Sequence, residues 1–158
     1  MESTIYNSPI GDLYLTSNEG YLDSLKFKKE GINRCLPFTN FGEPMDNVLE
    51  LVKKELDEYF DGKLYVFKTP FKLYGTLFRL KVWKALTKIP YGATSNYKEL
   101  AVAMGQGNAQ RAVGGANNKN PISIIVPCHR VIGASGKLVG YGGGLSSKEF
   151  LLKLEKAI

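Results

Sequence analysis

The 158-residue sequence holds one histidine and only two cysteines, Cys35 and Cys128. It has no apolar run of the roughly 18 residues that a membrane span needs, so a span is excluded. Its first residues, Met1-Glu2-Ser3-Thr4-Ile5-Tyr6, lack a basic stretch followed by an apolar one, and no signal peptide is expected. Two cysteines make no disulfide framework, so free thiols in a cytoplasmic chain are the expected state. One histidine and two cysteines do not close a four-ligand zinc site without carboxylates, and no structural zinc is expected. The glycine-rich segment Gly140-Tyr141-Gly142-Gly143-Gly144 has no Gly-Lys-Ser/Thr end and is not a phosphate loop. No long repeat or low-complexity segment is visible.

What is present suits one chain of ordinary domain size. Hydrophobic residues make up 44% and charged residues 23%, and a chain near this length hides roughly 70% of its unfolded surface. The net charge of +6 permits an anionic partner without proving one.

The patterning changes along the chain. Thr4–Tyr6, Leu13–Leu15 and Leu22–Phe27 read as short alternating strands, and residues 31–44 as a loop. Val48, Leu51, Val52, Leu56, Tyr59 and Phe60 form the stripe of a helix from Met45 to Phe60. A strand is expected near Leu64–Phe67. Thr76 is placed to cap a helix ending before Pro90, Asn96 and Glu99 to open a second, and Asn108 to cap a third over Ala109–Ala116. The short glycine-containing gap between the last two reads as a helix-turn-helix. Ile122–Val126 reads as a buried strand, and Ser146 with Glu149 as the capping box of a final helix with Phe150, Leu151, Leu154 and Ile158 inward. The expected architecture is α+β. A small N-terminal sheet-plus-helix domain (1–68) and a connector (69–75) precede a mainly helical C-terminal domain (76–158) with the helix-turn-helix.

Several residues invite two readings. Cys128 is an inert buried cysteine or a nucleophile, and a nucleophile needs a base or positive charge beside it. His129 is adjacent, but neighbours on an extended chain point apart, so a bridging water or a local turn is required. Glu155 sits at the edge of the last apolar face, as a solvated charge or as the group that orients the single histidine. Arg111-Ala112-Val113-Gly114-Gly115-Ala116 carries two interior glycines, each costing about 1 kcal/mol in a helix. Close helix packing and close approach of a DNA backbone explain them equally well. Arg111 is a surface charge or a residue that enters a groove. Asn117, Asn118 and Asn120 suit a turn, and Tyr141 a loop or an aromatic pocket wall.

Ile125-Val126-Pro127-Cys128-His129-Arg130-Val131 resembles the active-site motif of the O6-alkylguanine-DNA alkyltransferases, also called methylated-DNA–protein-cysteine methyltransferases. The match extends through Tyr91-Gly92, Tyr97, Arg111–Ala116, Asn120-Pro121, Tyr141, Gly143-Gly144-Leu145, Lys148-Glu149 and Glu155, over roughly residues 76–156. The first half resembles the family only in length and strand–helix order.

The resemblance implies a suicide repair protein. Cys128 would take the alkyl group from O6-alkylguanine, and from O4-alkylthymine in some members, in a nucleotide flipped out of double-stranded DNA. It implies a relay of His129 and Glu155 that forms the thiolate, and an Asn120 that ties the helix-turn-helix to the active-site turn. Arg111 would fill the gap left by the extruded base. Tyr97 would crowd the neighbouring phosphate and meet the flipped guanine, with Tyr141 as a pocket wall. The carbonyls of Cys128 and Val131 and the amide of Gly142 would contact the guanine edge. Ala112 and Gly114 would face the minor groove. A monomer is implied, free in the cytoplasm or associated with the nucleoid. Gly142 stands where some relatives carry serine, and the zinc site of some eukaryotic relatives has no counterpart. The competing reading is a lesion-recognition or regulatory DNA-binding module, which has no need of Cys128.

Overall fold

Alternation in the first thirty residues becomes an antiparallel meander. Strands β1 (Glu2–Ser8), β2 (Gly11–Asn18) and β3 (Tyr21–Lys26) pair in sequence order. Glu19 and Gly20, at φ of 52° and 84°, make the two-residue turn between β2 and β3, the left-handed pair that matches the twist of a hairpin. Leu13, Leu15, Leu22 and Leu25 are fully buried. Helix α1 (Val48–Phe60) buries Val48, Val52, Leu56 and Tyr59 and contacts β1, β2 and β3. It begins three residues later than the apolar stripe suggested, behind Asn47 in the left-handed region at φ 58°.

Two expectations for this half are corrected. The stretch read as a loop contains β4 (Phe38–Phe41), and the stretch read as a connector contains β5 (Phe71–Tyr74). These two strands pair antiparallel, β5 adds parallel to β3, and the order is β1-β2-β3-β5-β4. Phe41 stacks on Phe71 with ring centroids 4.5 Å apart. Residues 64–67 form no strand. Their neighbours are held by the buried carboxylate of Glu55, which accepts from the backbone N–H groups of Lys68 and Thr69, each at 2.8 Å, and from the Thr69 hydroxyl. A buried carboxyl group on a helix is invisible to an apolar-period reading, and the strand that follows α1 lies further along the chain, at β5.

In this computed structural model all 158 residues are described, and they divide into two units, Met1–Gly75 and Thr76–Ile158. The second unit opens with α2 (Leu77–Leu86), whose first turn is capped by the Thr76 hydroxyl accepting from Arg79 N–H at 3.2 Å. Helix α3 (Tyr97–Ala103) is capped by Asn96, which accepts from Glu99 N–H at 2.8 Å. Helix α4 (Gln110–Asn117) packs on α2 and α3. Its first turn follows Ala109 and has no side-chain cap, so Asn108 does not play the part its type suggested. Two short parallel strands, β6 (Ser95–Asn96) and β7 (Val131–Ile132), join the start of α3 to the chain beyond Cys128.

Residues 122–126, buried except for the half-buried Ile125, are not a strand. They coil through tight turns, with Ile125 N–H on Ser123 C=O at 2.8 Å and Val126 N–H on Ile122 C=O at 3.1 Å. Ile124 sits at φ 72°, a strained value for a β-branched residue and one that marks functional neighbourhoods. Short apolar runs do not by themselves distinguish strand from buried turn.

The last helix, α5 (Leu145–Leu154), has no capping box, and Glu149 pairs instead with Lys153 at 2.9 Å. Its buried face is Ser147, Lys148, Leu151 and Leu152, while Phe150 is 38% exposed. The helix is rotated from the expected setting because a lysine, not Phe150, points inward.

Candidate active site

Cys128, His129 and Arg130 form a single 3₁₀ turn between the coiled segment and β7. The turn is fixed from behind by Asn120. Its amide donates to Val126 C=O at 2.7 Å and its Oδ1 accepts from Ile122 N–H at 3.0 Å. One buried side chain thus closes the loop that delivers the cysteine.

Glu155, the residue after α5, faces this turn and is buried. Its Oε2 lies 2.7 Å from His129 Nε2, and Arg130 donates through Nε to Oε1 at 2.8 Å and through a terminal nitrogen to Oε2 at 3.1 Å. The other guanidinium arm reaches Ile89 C=O at 2.7 Å. Burial alone would push the Glu155 carboxyl up, but the hydrogen bonds and charges of His129 and Arg130 more than reverse this and hold it at about 2. Burial draws His129 below the ordinary histidine value, with Glu155 opposing and the charges of Arg130 and Lys148 adding to the fall. The histidine is therefore neutral at pH 7. With Glu155 ionised, Nε2 carries the proton and Nδ1 is left as the acceptor. Nδ1 is buried without a protein partner, so it makes no direct hydrogen bond to the cysteine.

Cys128 is 5% exposed. Burial raises its thiol above the usual value, while hydrogen bonding by Asn120, the charge of Lys148 and its own backbone amide pull it down. The arrangement is a protonated thiol at rest beside a neutral imidazole that an ionised carboxylate aligns, parts suited to generating a thiolate on demand. Cys128 opens on a small cavity of about 30 Å³ lined by Asn117, Asn120, Ser123, Tyr141 and Gly142, space for water and not for a purine. Burial raises the phenols of both Tyr97 and Tyr141, so both stay protonated. Val131 is buried in β7 behind the cysteine, and its carbonyl accepts from Lys148 Nζ.

The expected residues thus fall into two groups. Cys128, His129, Glu155, Asn120, Val131, Tyr141 and Gly142 gather around the turn. Arg111 and Ala112 lie exposed on α4, whose inner face is Val113, Ala116 and Asn117. Packing within the protein does not require the glycines of that helix. A Cβ at Gly115 would meet nothing within 4 Å, and one at Gly114 would meet the Tyr97 ring at 3.8 Å, an ordinary contact. Close packing inside the protein is therefore not the reason for them. The charge is also uneven: residues 76–158 carry 12 Lys and Arg against 3 Asp and Glu, whereas residues 1–75 carry 9 against 12. All the positive excess lies in the unit that holds Cys128.

The sequence reading gave no role to Lys148 or Asn117. Lys148 precedes Leu151, Leu152 and Glu155 by three, four and seven residues, which places it on their face, and that spacing was the available signal. Asn117 offered only turn chemistry, yet it lines the cavity with a buried Oδ1 that has no partner.

Residues 1–73 match the model of the 6-O-methylguanine DNA methyltransferase ribonuclease-like domain, and residues 77–157 match that of the same protein's DNA-binding domain. This chain belongs to the 6-O-methylguanine DNA methyltransferase family. The first match corrects the sequence reading, which confined the specific likeness to the second half. The methylated-DNA–protein-cysteine methyltransferase of Methanosarcina barkeri is 51% identical over 96% of this chain and 95% of its own. The protein of the same name from Mycobacterium tuberculosis is 46% identical over 96% of this chain and 90% of its own. The M. tuberculosis OGT structure in complex with DNA superposes with a TM-score of 0.86 at 44% identity, covering 99% of this chain and 94% of that one. The O6-methylguanine-DNA methyltransferase of Pyrococcus kodakaraensis shares the fold at 25% identity, with a TM-score of 0.59 over 97% of both chains. No helix of this family member is long and apolar enough to cross a membrane.

Proposed function

We propose that this methyltransferase repairs double-stranded DNA by moving the alkyl group of O6-alkylguanine onto Sγ of Cys128, once per molecule. The observation that carries the reading is the Cys128 turn, with its single histidine aligned by a buried, ionised Glu155. The thiol proton passes to Nδ1 of His129 through one water, since the two groups are not directly bonded. The thiolate then attacks the alkyl carbon and the carbon–O6 bond breaks. Its electron pair leaves with the guanine, which takes up a proton, and Cys128 becomes a thioether. A thioether is a poor leaving group, so the protein is spent, and the chemistry uses no cofactor.

A guanine stacked in a duplex hides O6 from a thiol this deep, so the damaged nucleotide is flipped out, at a cost of a few kcal/mol. The cavity beside Cys128, at about 30 Å³, is too small for a base and widens around the loop of Gly140–Gly142 to admit it. Helices α3 and α4 serve as the helix-turn-helix, with the side-chain-free surface of Ala112, Gly114 and Gly115 against the minor groove and Arg111 in the gap left by the base. Tyr97 lies between this face and the cavity. The relay is complete within one chain, which suits a monomer, and two free thiols suit a reducing cytoplasm. The two units are taken as the two domains of the protein.

The test is incubation with a duplex holding one O6-methylguanine, followed by intact mass and peptide mapping. One methyl per protein is expected, on Cys128 and not on Cys35. Repeated turnover would sink the suicide mechanism, and tight binding without transfer would favour a lesion-recognition module.

A further inference from the structure

A cleft of about 970 Å³ lies in the Met1–Gly75 unit and shares no residue with the cavity beside Cys128. Its floor is the face of the meander opposite the buried Leu13 and Leu15: Ser3 and Ile5 of β1, Tyr14 and Thr16 of β2, and Ser24 of β3. Its wall is the segment 28–34 that follows β3. Two ion pairs pin that segment, Lys26 with Glu30 at 3.0 Å and Arg34 with the buried Asp23 at 2.8 Å. Both acids are thereby taken, and Lys28 and Lys29 stand exposed without an ion pair. A sheet face covered by water is normally polar. Here Ile5 is 51% exposed, beside Tyr14 and with Ile32 on the wall.

Strand β1 borders the cleft and is the outer strand of the sheet, paired with β2 alone. Half of its backbone groups therefore face outward with no strand to meet. Exposed edges are ordinarily blunted by charges, proline or a bulge. From Ser3 to Ser8 this one has no charge and no proline, and its pairing with β2 runs without a break in register.

We propose that β1 and this cleft form a docking site for an extended acidic peptide of a partner protein. The peptide adds to the sheet beyond β1. On the cleft face its apolar side chain meets Ile5, Tyr14 and Ile32, and its carboxylates meet Lys28 and Lys29. In this mode main-chain hydrogen bonds supply affinity, and pockets for alternate side chains supply selectivity. Charge favours a peptide over the other occupants. Residues 1–75 carry 9 Lys and Arg against 12 Asp and Glu, so the unit as a whole repels a nucleic acid. The two unpaired lysines suit a short segment with few acids. A second copy paired through its own β1 would bring the same lysines to the same face, cation against cation.

The test uses the full-length protein and a labelled peptide, Thr-Glu-Thr-Val-Thr-Glu-Thr, which matches β1 in length and puts its acids and its valine on one face. Binding is followed by fluorescence anisotropy and by backbone amide shifts. The peptide should bind about tenfold more tightly than its counterpart with lysine for glutamate, and should shift amides in residues 2–8 and 28–34. Versions N-methylated at every second residue, made in both registers, lose main-chain donors and keep their side chains, and one of the two should fail to bind. Lys28→Glu with Lys29→Glu should weaken binding by about tenfold. Transfer from free O6-methylguanine should stay at the parent rate in that variant, which checks its fold. Absence of binding, equal affinity for both peptides, no loss in either N-methylated version, or shifts confined to other residues would each overturn the proposal. So would tighter binding of single-stranded oligothymidylate at the same amides, which would give the cleft to nucleic acid. Dimerisation of the free protein through β1, seen in sedimentation, would give the edge to a second copy and overturn it as well.

Discussion

His129 presents Nε2 to Glu155 at 2.7 Å and leaves Nδ1 buried with no protein partner. The carboxylate thus fixes both the ring orientation and the tautomer, and the nitrogen left over is the one able to accept a proton. If the two residues act as one device, His129→Ala and Glu155→Gln should each slow transfer by a similar factor. The double variant should be much less than additive, with lesion binding retained. Single-turnover rates on a methylated duplex give the answer, and full additivity would show Glu155 to be independent of the histidine.

Glu155 also ties stability to acid. Its carboxyl is held at about 2 when folded, against about 4.3 in an unfolded chain. A depressed acid contributes stability that is fully present above the unfolded value and lost as pH falls through the folded one. The window is therefore about pH 4.5 to 2, and the loss about 3 kcal/mol. Denaturant unfolding across this range should show the slope in the parent and a flatter response in Glu155→Gln.

Asn120→Ala removes both hydrogen bonds that close the turn before the cysteine. It leaves a buried carbonyl and a buried N–H unpaired, a cost of about 2–4 kcal/mol. Transfer from the free alkylated base should slow together with transfer from the duplex, because the defect lies at the nucleophile. A loss confined to duplex DNA would be inconsistent with this placement.

Arg111→Ala should show the opposite split. The side chain is exposed on α4 and away from the Cys128 cavity. Its loss should impair repair of duplex DNA and spare transfer from the free base, which needs no extrusion. Equal losses would place Arg111 in the catalytic machinery.

Binding to undamaged duplex should be strongly salt-dependent and nearly indifferent to sequence. If about four of the cations in residues 76–158 face phosphates, log affinity falls against log salt with a slope of about −4. Phosphates and the minor groove carry little sequence information. A flat response, or a wide spread among unrelated duplexes, would point to a sequence-reading protein.

The sequence by itself determined the chemistry. The ordered set from Tyr91 to Glu155 carried the family, the motif around Cys128 the nucleophile, and the alternation and 3.6-residue periods the first three strands and α1. Thr76 and Asn96 were legible as caps because capping is a contact between residues three apart. Tertiary structure decided whatever depends on partners distant in the chain. It made β4 and β5 strands, because each pairs with a segment that no local pattern names. It turned Ile122–Val126 from a strand into a coiled turn, because Asn120 supplies the hydrogen bonds a sheet would otherwise give. It put Lys148 rather than Phe150 inside, because two carbonyls from other segments wait there. It also removed close helix packing as the reason for Gly115, since only the folded neighbours show that nothing in the protein occupies the space beside it. A linear pattern reports which residues prefer burial, but the cost of burying a charge is decided by the groups that the fold brings to meet it.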